Sequence, residues 1–493
     1  MEFKVSFSKK TILEGDLAIF FQTNNNESFG LSEVDLQKQV PQAITVEDFK
    51  GEENTKLQVL VPHKSAFKRF VVLGLGEISN HKNDFWLNMG GKSFDIFNKD
   101  QNIVIFLDVL EKPITQEQIK DFLVGMMLKK YRFDHFKTQK KENKEENKEI
   151  SVYLVTNISD SCQSIVEEAK AIATSVYLSR DLINQPANIL GTEEFVAQIQ
   201  KLKDLGIEIE ILDKNTMTKL GMGALLAVAQ GSQRPPFVAI MRWNGGETDE
   251  APLAFVGKGV VFDSGGISLK PGSGMEEMKA DMAGAAAVVG LMNLLATRKA
   301  KVNVVGMVGL VENMPGSHAQ RPGDVVVSMS GQTIEVINTD AEGRMVLADV
   351  LWYCETVIKP KLIIDLATLT GAIMVALGRN YAGLFANDND LAQNLMIAGQ
   401  KTGEKVWQMP IGTEYDLLIN SHIADIKNVS DRFDGGSITA AQFLKRFVKK
   451  TSWAHLDIAG TAMGVKPNAI NNSWGVGFGV RLLNEFVKTN HEL

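Results

Sequence analysis

The amino-acid sequence predicts an α/β protein of two domains: a smaller N-terminal α/β domain and a larger C-terminal domain in which a mostly parallel, mixed sheet is the middle of three α/β/α layers. Two observations lead to this prediction. A chain of 493 residues is too long for one ordinary hydrophobic core and favours two domains or a few. Short apolar runs, typical of buried strands, also alternate with helical patterns, which is the order expected of sheets covered by helices.

The N-terminal third contains short apolar runs bounded by polar residues. We expect strands at the alternating N-terminal stretch and at residues 17–21, 57–61, 70–75, 103–107 and 151–155. Residues 137–149, KTQKKENKEENKE, have no apolar face and predict a solvated loop. A helical pattern follows at residues 161–182 and ends before Pro186.

These features define the predicted domains. We expect an N-terminal domain at residues 1–160 with a role in assembly or regulation, a linking helix at 161–183, and a C-terminal domain at 184–493.

In the C-terminal domain, strands and helices alternate in larger units. We expect strands at residues 207–212, 237–241, 253–261, 302–310, 362–366 and 454–458. The apolar stretch 283–296 is shorter than a bilayer span and contains Asn293, so we expect a buried helix there. Because ligands bind beyond the carboxyl ends of the strands in open α/β sheets, the loops after these strands are where the chemistry should lie.

Composition excludes several classes of protein. Hydrophobic residues make up 44% of the chain and charged residues 23%, as in soluble globular proteins. The formal net charge of −7 does not favour nucleic acid or anionic membranes as partners.

The N-terminus lacks the apolar stretch of a secretory signal, so we expect a cytoplasmic protein. Cys162 and Cys354 are far apart and outside any CxxC, which indicates buried thiols in a reducing compartment and argues against a thiolate metal site.

A first segment concentrates ionisable side chains among glycines. Residues 257–290, GKGVVFDSGGISLKPGSGMEEMKADMAGAAAVVG, include the end of a predicted strand and the start of a helix rich in alanine and glycine. The segment contains two lysines and two aspartates of interest: Lys258, Asp263, Lys270 and Asp281.

A second segment, NTDAEGR at residues 338–344, lies between a strand-like stretch at 333–337 and a helical pattern that begins at Met345. If this stretch is extended, its two-residue period directs Asp340, Glu342 and Arg344 to the same side. The small residues between them allow the backbone to approach whatever the three side chains bind.

The two segments together contain four carboxylates: Asp263, Asp281, Asp340 and Glu342. Gathered in one dry cleft, they would repel one another and need compensating cations. Divalent metals supply that compensation, and oxygen ligands suit Mg²⁺, Mn²⁺ and Zn²⁺. None of the seven histidines lies in an HExxH spacing, so a zinc site built from histidines is not expected. Two metals bridged by carboxylates can activate a shared water, which makes hydrolysis the natural reaction class.

Both segments, with VENMP at residues 311–315, DLATLTGA at 365–372 and HLDIAG at 455–460, resemble the leucyl aminopeptidase (cytosol aminopeptidase) family. The similarity extends from about residue 184 to 460, and NTDAEGR is a highly specific signature of this family. The N-terminal third resembles the family only through its position and the LGLG strand end at residues 73–76.

The resemblance implies a metal centre with two divalent cations, Zn²⁺ or Mn²⁺ with Mg²⁺ or Co²⁺ as further possibilities. Asp263 and Glu342 would bridge the two metals, and Asp340 would bind one of them. Lys258 and Asp281 would bind the other metal, with Lys258 as a neutral amine whose pKa the nearby cation lowers.

The same resemblance implies catalytic and substrate-binding roles. Lys270 would donate to the scissile carbonyl oxygen, and Arg344 would hold a bicarbonate ion that accepts a proton from the bridging water. The free amino group of the substrate would bind a metal, which implies an exopeptidase. The residues implied to line the pocket for the first substrate side chain are Met278, Thr368, Gly371 and Ala459.

The family resemblance also implies an N-terminal residue preference for leucine, methionine and other apolar side chains. It further implies a homohexamer built as a dimer of trimers, with peptides that have a free N-terminus as the substrates.

Other interpretations of these residues fit the sequence less well. DSGG at residues 263–266 resembles the nucleophile segment of trypsin-like serine proteases, but the chain has no comparable histidine motif and is predicted to be α/β. A DNA-binding or scaffold protein with the same fold would not need four carboxylates and two lysines. Taken singly, Asp281 could be a helix N-cap, and Arg344 could form a salt bridge with Asp340 or Glu342.

Overall fold

A computed structural model describes residues 3–8, 14–24, 31–35, 37–61, 65–97, 99–108, 114–138, 149–158, 162–431 and 434–492. The chain forms two compact units. The first comprises Met1–Ala173 and Pro467–Asn472, and the second comprises Thr174–Lys466 and Ser473–Leu493. The division falls within the helix Cys162–Asn184. The predicted solvated loop at 137–149 lies almost entirely outside the described residues.

The first unit contains one six-stranded sheet and its helices. Its strands are β1 (Phe3–Ser8), β2 (Gly15–Thr23), β3 (Lys56–Leu60), β4 (Phe67–Gly76), β5 (Asn102–Phe106) and β6 (Ile150–Val155). Its helices are α1 (Leu31–Val34), α2 (Gln39–Val46), α3 (Phe85–Phe94), α4 (Gln116–Lys130) and the start of α5 (Cys162–Asn184).

The strand order in this sheet is β1-β6-β5-β2-β4-β3. Only β3 runs antiparallel to its neighbour. The central strands are almost continuously apolar, and the side chains of Phe20, Phe70 and Val104 are fully buried in the core. Such runs are expected where a strand is covered on both faces.

The second unit contains an eight-stranded sheet and a small three-stranded sheet. The large sheet consists of β7 (Glu208–Leu212), β8 (Phe237–Asn244), β9 (Leu253–Asp263), β10 (Asn303–Asn313), β13 (Leu362–Ala367), β14 (Ala382–Ala386), β15 (Val406–Gln408) and β17 (Ser452–Asp457). The small sheet consists of β11 (Val325–Val327), β12 (Thr333–Glu335) and β16 (Ile426–Lys427).

The helices of this unit, beyond the end of α5, vary from one turn to four. They are α6 (Thr192–Gln200), α7 (Lys214–Leu220), α8 (Gly223–Ala229), α9 (Ala283–Thr297), α10 (Glu342–Tyr353), α11 (Gly371–Leu377), α12 (Asn389–Thr402), α13 (Thr413–Asp416), α14 (Gly436–Lys445) and α15 (Val480–Asn490).

The large sheet has the order β15-β14-β17-β13-β9-β10-β8-β7. Its four central strands, β17, β13, β9 and β10, are parallel to one another, and β14 and β8 run antiparallel on either side of them. One face is covered by α6, α9, α12 and α15, and the other by α8, α10 and α14, so that two apolar clusters enclose the sheet. The predicted two-domain α/β class with a mixed, mostly parallel sheet in three layers is confirmed.

The buried helix predicted at residues 283–296 is α9, Ala283–Thr297. Among the described residues, the stretch Met275–Thr297 is the one helical segment with the length and composition to cross a bilayer. In its most apolar 18 residues, 89% are buried, which is the environment of a core helix.

Cys354 is a free, buried thiol, as expected, and burial raises its pKa above the ordinary value. The side chain of Cys162 lies outside the described residues.

Candidate metal centre

The carboxyl ends of the four parallel strands lie at one edge of the large sheet. Asp263 is the last residue of β9 and pairs in register with Asn313, the last residue of β10. Asp457 ends β17, and Thr368 follows the end of β13. Adjacent parallel strands therefore bring together side chains that are far apart in the sequence, at the edge where ligands bind in open α/β sheets.

Lys258 is the one charged side chain in the interior of β9, and only 2% of its surface is exposed. Its Nζ lies 2.8 Å from Asp281 Oδ1 and 2.8 Å from Glu342 Oε1, and it donates to Thr368 O at 2.9 Å. Gly343 makes room for this lysine, since a Cβ at that position would lie 2.6 Å from Lys258 Cε. The structure thus places Lys258 in direct contact with three other predicted site residues.

Lys270 brings the second pair of predicted carboxylates together. Its Nζ lies 2.9 Å from Asp263 Oδ2 and 2.5 Å from Asp340 Oδ1. The loop from Asp263 to Lys270 makes a sharp turn at Gly265 and Gly266, whose φ angles are +88° and +68°. Glycine suits both positions because a Cβ is disfavoured in the left-handed region.

Residues 338–344 are not extended, so the condition under which a two-residue period would direct Asp340, Glu342 and Arg344 to one side is not met. Helix α10 begins at Glu342, three residues before the predicted start, so Glu342 and Arg344 lie in its first turn while Asp340 lies in the preceding turn. Strand periodicity therefore does not bring these side chains together. The turn and the start of the helix do, and a glutamate in the first helical turn is also favoured by the helix dipole.

Asp281 is not the N-cap of the helix that follows it. It ends the 3₁₀ turn Met275–Ala280, and the residue before α9 is Met282, which makes no side-chain capping bond. Asp281 Oδ1 instead accepts from Thr368 Oγ1 at 2.7 Å and lies beside Lys258. The alternative that Asp281 is a helix cap is thereby excluded.

The electrostatics of this cluster show a shortage of positive charge. Burial, together with the neighbouring Glu342, raises the pKa of Asp263 to about 7 despite the two lysines. Burial also raises the pKa of Asp281 well above its ordinary value. Burial alone would raise the pKa of Glu342 as well, but Lys258 and Lys270 outweigh it and hold that pKa low. For Lys258, burial favours a lower pKa, and the attraction of Asp281, Glu342 and Asp263 raises it above the ordinary value.

The donor set fits divalent cations. Asp281 Oδ2 and Glu342 Oε2 are buried and have no hydrogen-bond partner among the described residues, which is costly for carboxylate oxygens unless a cation binds them. One oxygen each from Asp263, Asp340 and Glu342 lies within 4.8 Å of the other two. Four carboxylates face two ammonium groups here, and hard oxygen donors of this kind suit divalent metals.

Arg344 lies beside the cluster, and only 6% of its surface is exposed. Its Nη1 donates to Asn428 O at 2.7 Å, whereas its buried Nε has no hydrogen-bond partner. Burial lowers the pKa of Arg344 to about 10, an effect that Glu342 and Asp457 partly oppose. Among the described residues, no carboxylate lies within ion-pair distance of its guanidinium group, so the structure does not show the alternative salt bridge to Asp340 or Glu342.

Residues 177–484 match the family model described as "Cytosol aminopeptidase family, catalytic domain", and residues 18–140 match the model described as its N-terminal domain. The chain belongs to the cytosol aminopeptidase family. The prediction of the leucyl aminopeptidase family is confirmed, and the match at residues 18–140 extends it into the part of the chain where the sequence motifs were few.

Relatives of similar length support this assignment. A "Probable cytosol aminopeptidase" of Phytoplasma mali (strain AT) is 54% identical over 485 residues, which cover 97% of each chain. Another of the same name, from Sinorhizobium fredii, is 53% identical over 495 residues, covering 100% of this chain and 99% of the relative.

Among solved structures, "Bottromycin maturation enzyme BotP in complex with Mn" superposes with a TM-score of 0.83 at 30% sequence identity. The match covers 96% of this chain and 99% of that one. As a member of the cytosol aminopeptidase family, this chain is a metal-dependent aminopeptidase, a hydrolase that acts on peptides.

Two asparagines to which the sequence motifs gave no role hold candidate site residues in place. Asn313 donates from Nδ2 to Asp263 Oδ1 at 2.8 Å and to Thr339 O at 3.0 Å. Asn428 accepts from Ile337 N and Asn338 N, donates to Asn338 O, and presents its own carbonyl to Arg344. Asn313 lies in the VENMP motif, where a polar residue at a strand end was visible. No sequence signal pointed to Asn428.

The four predicted pocket residues differ in how directly they contact the carboxylate and lysine cluster. Thr368 contacts both Lys258 and Asp281. Met278 lies in the 3₁₀ turn before Asp281 and its carbonyl accepts from Asp281 N at 3.3 Å. Gly371 begins α11 three residues after Thr368, and Ala459 follows the end of β17, so both belong to loops at the same sheet edge. Their contact with a substrate stays a prediction.

The serine-protease alternative does not fit this family or this geometry. Ser264 is buried, its Oγ donates to Asn313 O at 2.7 Å, and it accepts from Gly266 N at 3.2 Å. The hydroxyl therefore shapes the loop that presents Lys270.

Proposed function

We propose that this aminopeptidase removes the N-terminal residue of peptides, with leucine, methionine and other apolar residues preferred, at a centre that binds two divalent cations. One observation supports this most directly: Asp281 Oδ2 and Glu342 Oε2 are buried without a hydrogen-bond partner, in a cluster of four carboxylates and two lysines. Asp263 and Glu342 would bridge the cations, with Asp340 on one and Lys258 with Asp281 on the other.

When bound, the two cations would supply an activated shared water, stabilisation of the developing oxyanion and a binding position for the free amino group of the substrate, while bicarbonate would supply a proton acceptor. Side chains of this chain would bind the scissile carbonyl and the bicarbonate. Lys270, whose Nζ is held between Asp263 and Asp340, would donate to the scissile carbonyl oxygen. Arg344 would hold the bicarbonate, since its buried Nε is a donor with no partner in the described part of the chain.

For Lys258 to act as a metal ligand, it must lose its proton. In the cation-free cluster the surrounding carboxylates keep its pKa above the ordinary value. The pKa of Lys258 would fall with a divalent cation at this site, because the charge of the same carboxylates would be neutralised and the ammonium group repelled. Binding of the cation and release of the Lys258 proton would therefore be coupled.

The test is turnover of leucine p-nitroanilide by metal-stripped protein to which Mn²⁺ or Zn²⁺ is returned. We expect chelation to abolish activity and the returned metal to restore it. We also expect N-acetyl-leucine p-nitroanilide to resist cleavage, because the acetyl group removes the free amine. Comparable rates for the free and the blocked substrate would contradict exopeptidase action.

The remaining features are also proposals. We propose a homohexamer arranged as a dimer of trimers, with residues 1–160 serving assembly or regulation, 161–183 as the linking helix and 184–493 as the catalytic domain. We propose a cytoplasmic location, in keeping with the names of the relatives. Light scattering after size exclusion would decide the oligomeric state, since a mass near that of one 54.2 kDa chain would contradict a hexamer.

A further inference from the structure

Asp457 is a buried carboxylate that the proposed mechanism does not use. It ends β17 and is fully buried. Its Oδ1 accepts from Leu369 N at 3.1 Å and from Ala459 N at 3.3 Å, and its Oδ2 accepts from Thr370 Oγ1 at 2.6 Å. One carboxylate therefore joins the loop after β13 to the loop after β17.

The loop after β13 reaches the metal centre through Thr368. The carbonyl of Thr368 accepts from Lys258 Nζ at 2.9 Å, and its Oγ1 donates to Asp281 Oδ1 at 2.7 Å. Asp457 binds the next two residues of this loop. It is thus separated from Lys258 and Asp281 by one short, hydrogen-bonded stretch of chain.

The same carboxylate also determines where α11 begins. Thr370 Oγ1, which donates to Asp457, accepts from Ile373 N at 3.1 Å and so caps this helix. Helix α11 starts at Gly371, and Ala459 is bonded to Asp457 directly. Three of the four proposed pocket residues therefore lie on segments that Asp457 holds.

The chemistry of Asp457 differs from that of an ordinary loop cap. Among the described residues it has no ion-pair partner, and burial raises its pKa, while His455 and the three hydrogen bonds oppose that shift. An unpaired carboxylate with no access to solvent is costly. Two N–H donors and one O–H donor, all from segments next to the metal centre, offset that cost.

We propose that Asp457 is a positioning residue, which fixes Thr368 so that Lys258 and Asp281 are held in the geometry that binds metal. It also fixes the pocket wall formed by the segments at Gly371 and Ala459. The pocket part of this inference rests on the proposed function, whereas the metal part does not depend on activity.

The experiment compares Asp457→Ala with Asp349→Ala. Asp349 is a matched control because it is also fully buried and accepts from two backbone donors, Leu225 N and Met329 N, neither of which belongs to the metal cluster. Mn²⁺ affinity is measured by titration calorimetry on metal-stripped protein. The ratio of kcat/KM for leucine and alanine p-nitroanilides is measured on the Mn²⁺-loaded enzyme, and Tm is measured for each protein.

We expect Asp457→Ala to weaken Mn²⁺ binding by about 10- to 100-fold, the range seen when residues that orient metal ligands are removed. The leucine-to-alanine ratio should fall by about tenfold, the order of discrimination that an apolar pocket provides. Asp457→Asn, which keeps one acceptor oxygen, should recover part of both effects. Asp349→Ala should lower Tm and leave the Mn²⁺ affinity and the ratio as in the wild type.

Unchanged Mn²⁺ affinity and an unchanged ratio in Asp457→Ala would overturn the proposal and leave Asp457 as a loop cap. If Asp457→Ala does not fold, Thr370→Val removes the hydroxyl that donates to Asp457 and caps α11. It must shift the same two quantities in the same direction, with Thr370→Ser restoring them. A wild type that fails to cleave leucine p-nitroanilide would contradict the proposed function alone, because the Mn²⁺ titration still decides the role of Asp457.

Discussion

The two large sheets of this chain are built alike but differ at the ends of their strands. In the first unit, Asp108 follows β5 and is buried, and it accepts from Thr156 Oγ1 at 3.0 Å and from Asn157 N at 2.6 Å. Neutral donors thus satisfy this carboxylate. In the second unit, Asp263 ends β9 and faces Lys270 within a group of carboxylates, two of whose members have buried oxygens without partners.

The comparison shows that a parallel sheet provides an edge for polar groups but does not decide their use. A buried carboxylate whose oxygens are bonded to neutral donors stabilises the fold. Carboxylates that face one another raise the free energy of the protein until cations bind, and that free energy is then available for metal binding. Mutations at the two edges should therefore have opposite effects.

The largest effect is expected at the carboxylates proposed to bridge the cations. Asp263→Ala and Glu342→Ala should each lose nearly all turnover of leucine p-nitroanilide, because each removes a proposed ligand of both metals. In metal-stripped protein, Asp263→Ala should lower Tm less than Asp108→Ala does, because relief of burial and of the repulsion by Glu342 offsets the lost hydrogen bonds from Asn313 Nδ2 and Gly265 N. Full activity in either variant would contradict the two-metal assignment.

Lys270→Ala tests the lysine that lies between Asp263 and Asp340. We expect kcat to fall by roughly 10²- to 10³-fold, the magnitude seen when one oxyanion donor is removed. KM should change much less, since the interaction forms in the transition state. A rise in KM with kcat unchanged would show that Lys270 binds the substrate in its ground state.

Gly343→Ala tests whether the start of α10 must be free of side chains beside Lys258. The added Cβ would lie 2.6 Å from Lys258 Cε, so the lysine must move. A displacement of about 1 Å should lower kcat/KM by about 10²-fold. Gly221→Ala is a control for glycine replacement, because a Cβ there meets no atom within 4 Å, although its φ of +75° adds local strain. Equal losses of kcat/KM in the two variants would show that the effect of Gly343→Ala does not depend on displacement of Lys258.

Arg344→Ala should have a smaller effect, which depends on bicarbonate. At limiting bicarbonate, the wild type should be accelerated when the anion is added, because Arg344 Nε is a buried donor that no other described residue accepts from. The variant should be slower and largely unresponsive. Equal bicarbonate responses in the two proteins would exclude the proposed anion-binding role.

Asp108→Ala should leave aminopeptidase activity unchanged and lower only stability. The substitution leaves Asn157 N and the buried hydroxyl of Thr156 without their acceptor, which should cost about 1–3 kcal/mol in the free energy of unfolding. The midpoint of urea denaturation measures this loss. A loss of activity in the folded variant would contradict the contrast between the two sheets.

Elements with strong local signals were predicted well from the sequence. The run at residues 253–261 is most of β9, and the apolar stretch at 283–296 is α9. Two strands of the same sheet were missed. Ala382–Ala386 consists of alanine, glycine, leucine and phenylalanine, so it lacks the β-branched residues typical of a strand. Val406–Gln408 has three residues, too few for a strand to be recognised from the sequence.

The sequence by itself determined the fold class, the family and the chemically active residue types, because hydrophobic periodicity and a specific motif such as NTDAEGR are local properties of the chain. The tertiary structure alone decided which groups meet. Asn428 binds the turn at Asn338 from 90 residues away, and Asp457 binds Leu369 from 88 residues away. Such contacts depend on strand order and on the exact start of α10, which tertiary packing sets and no local pattern encodes.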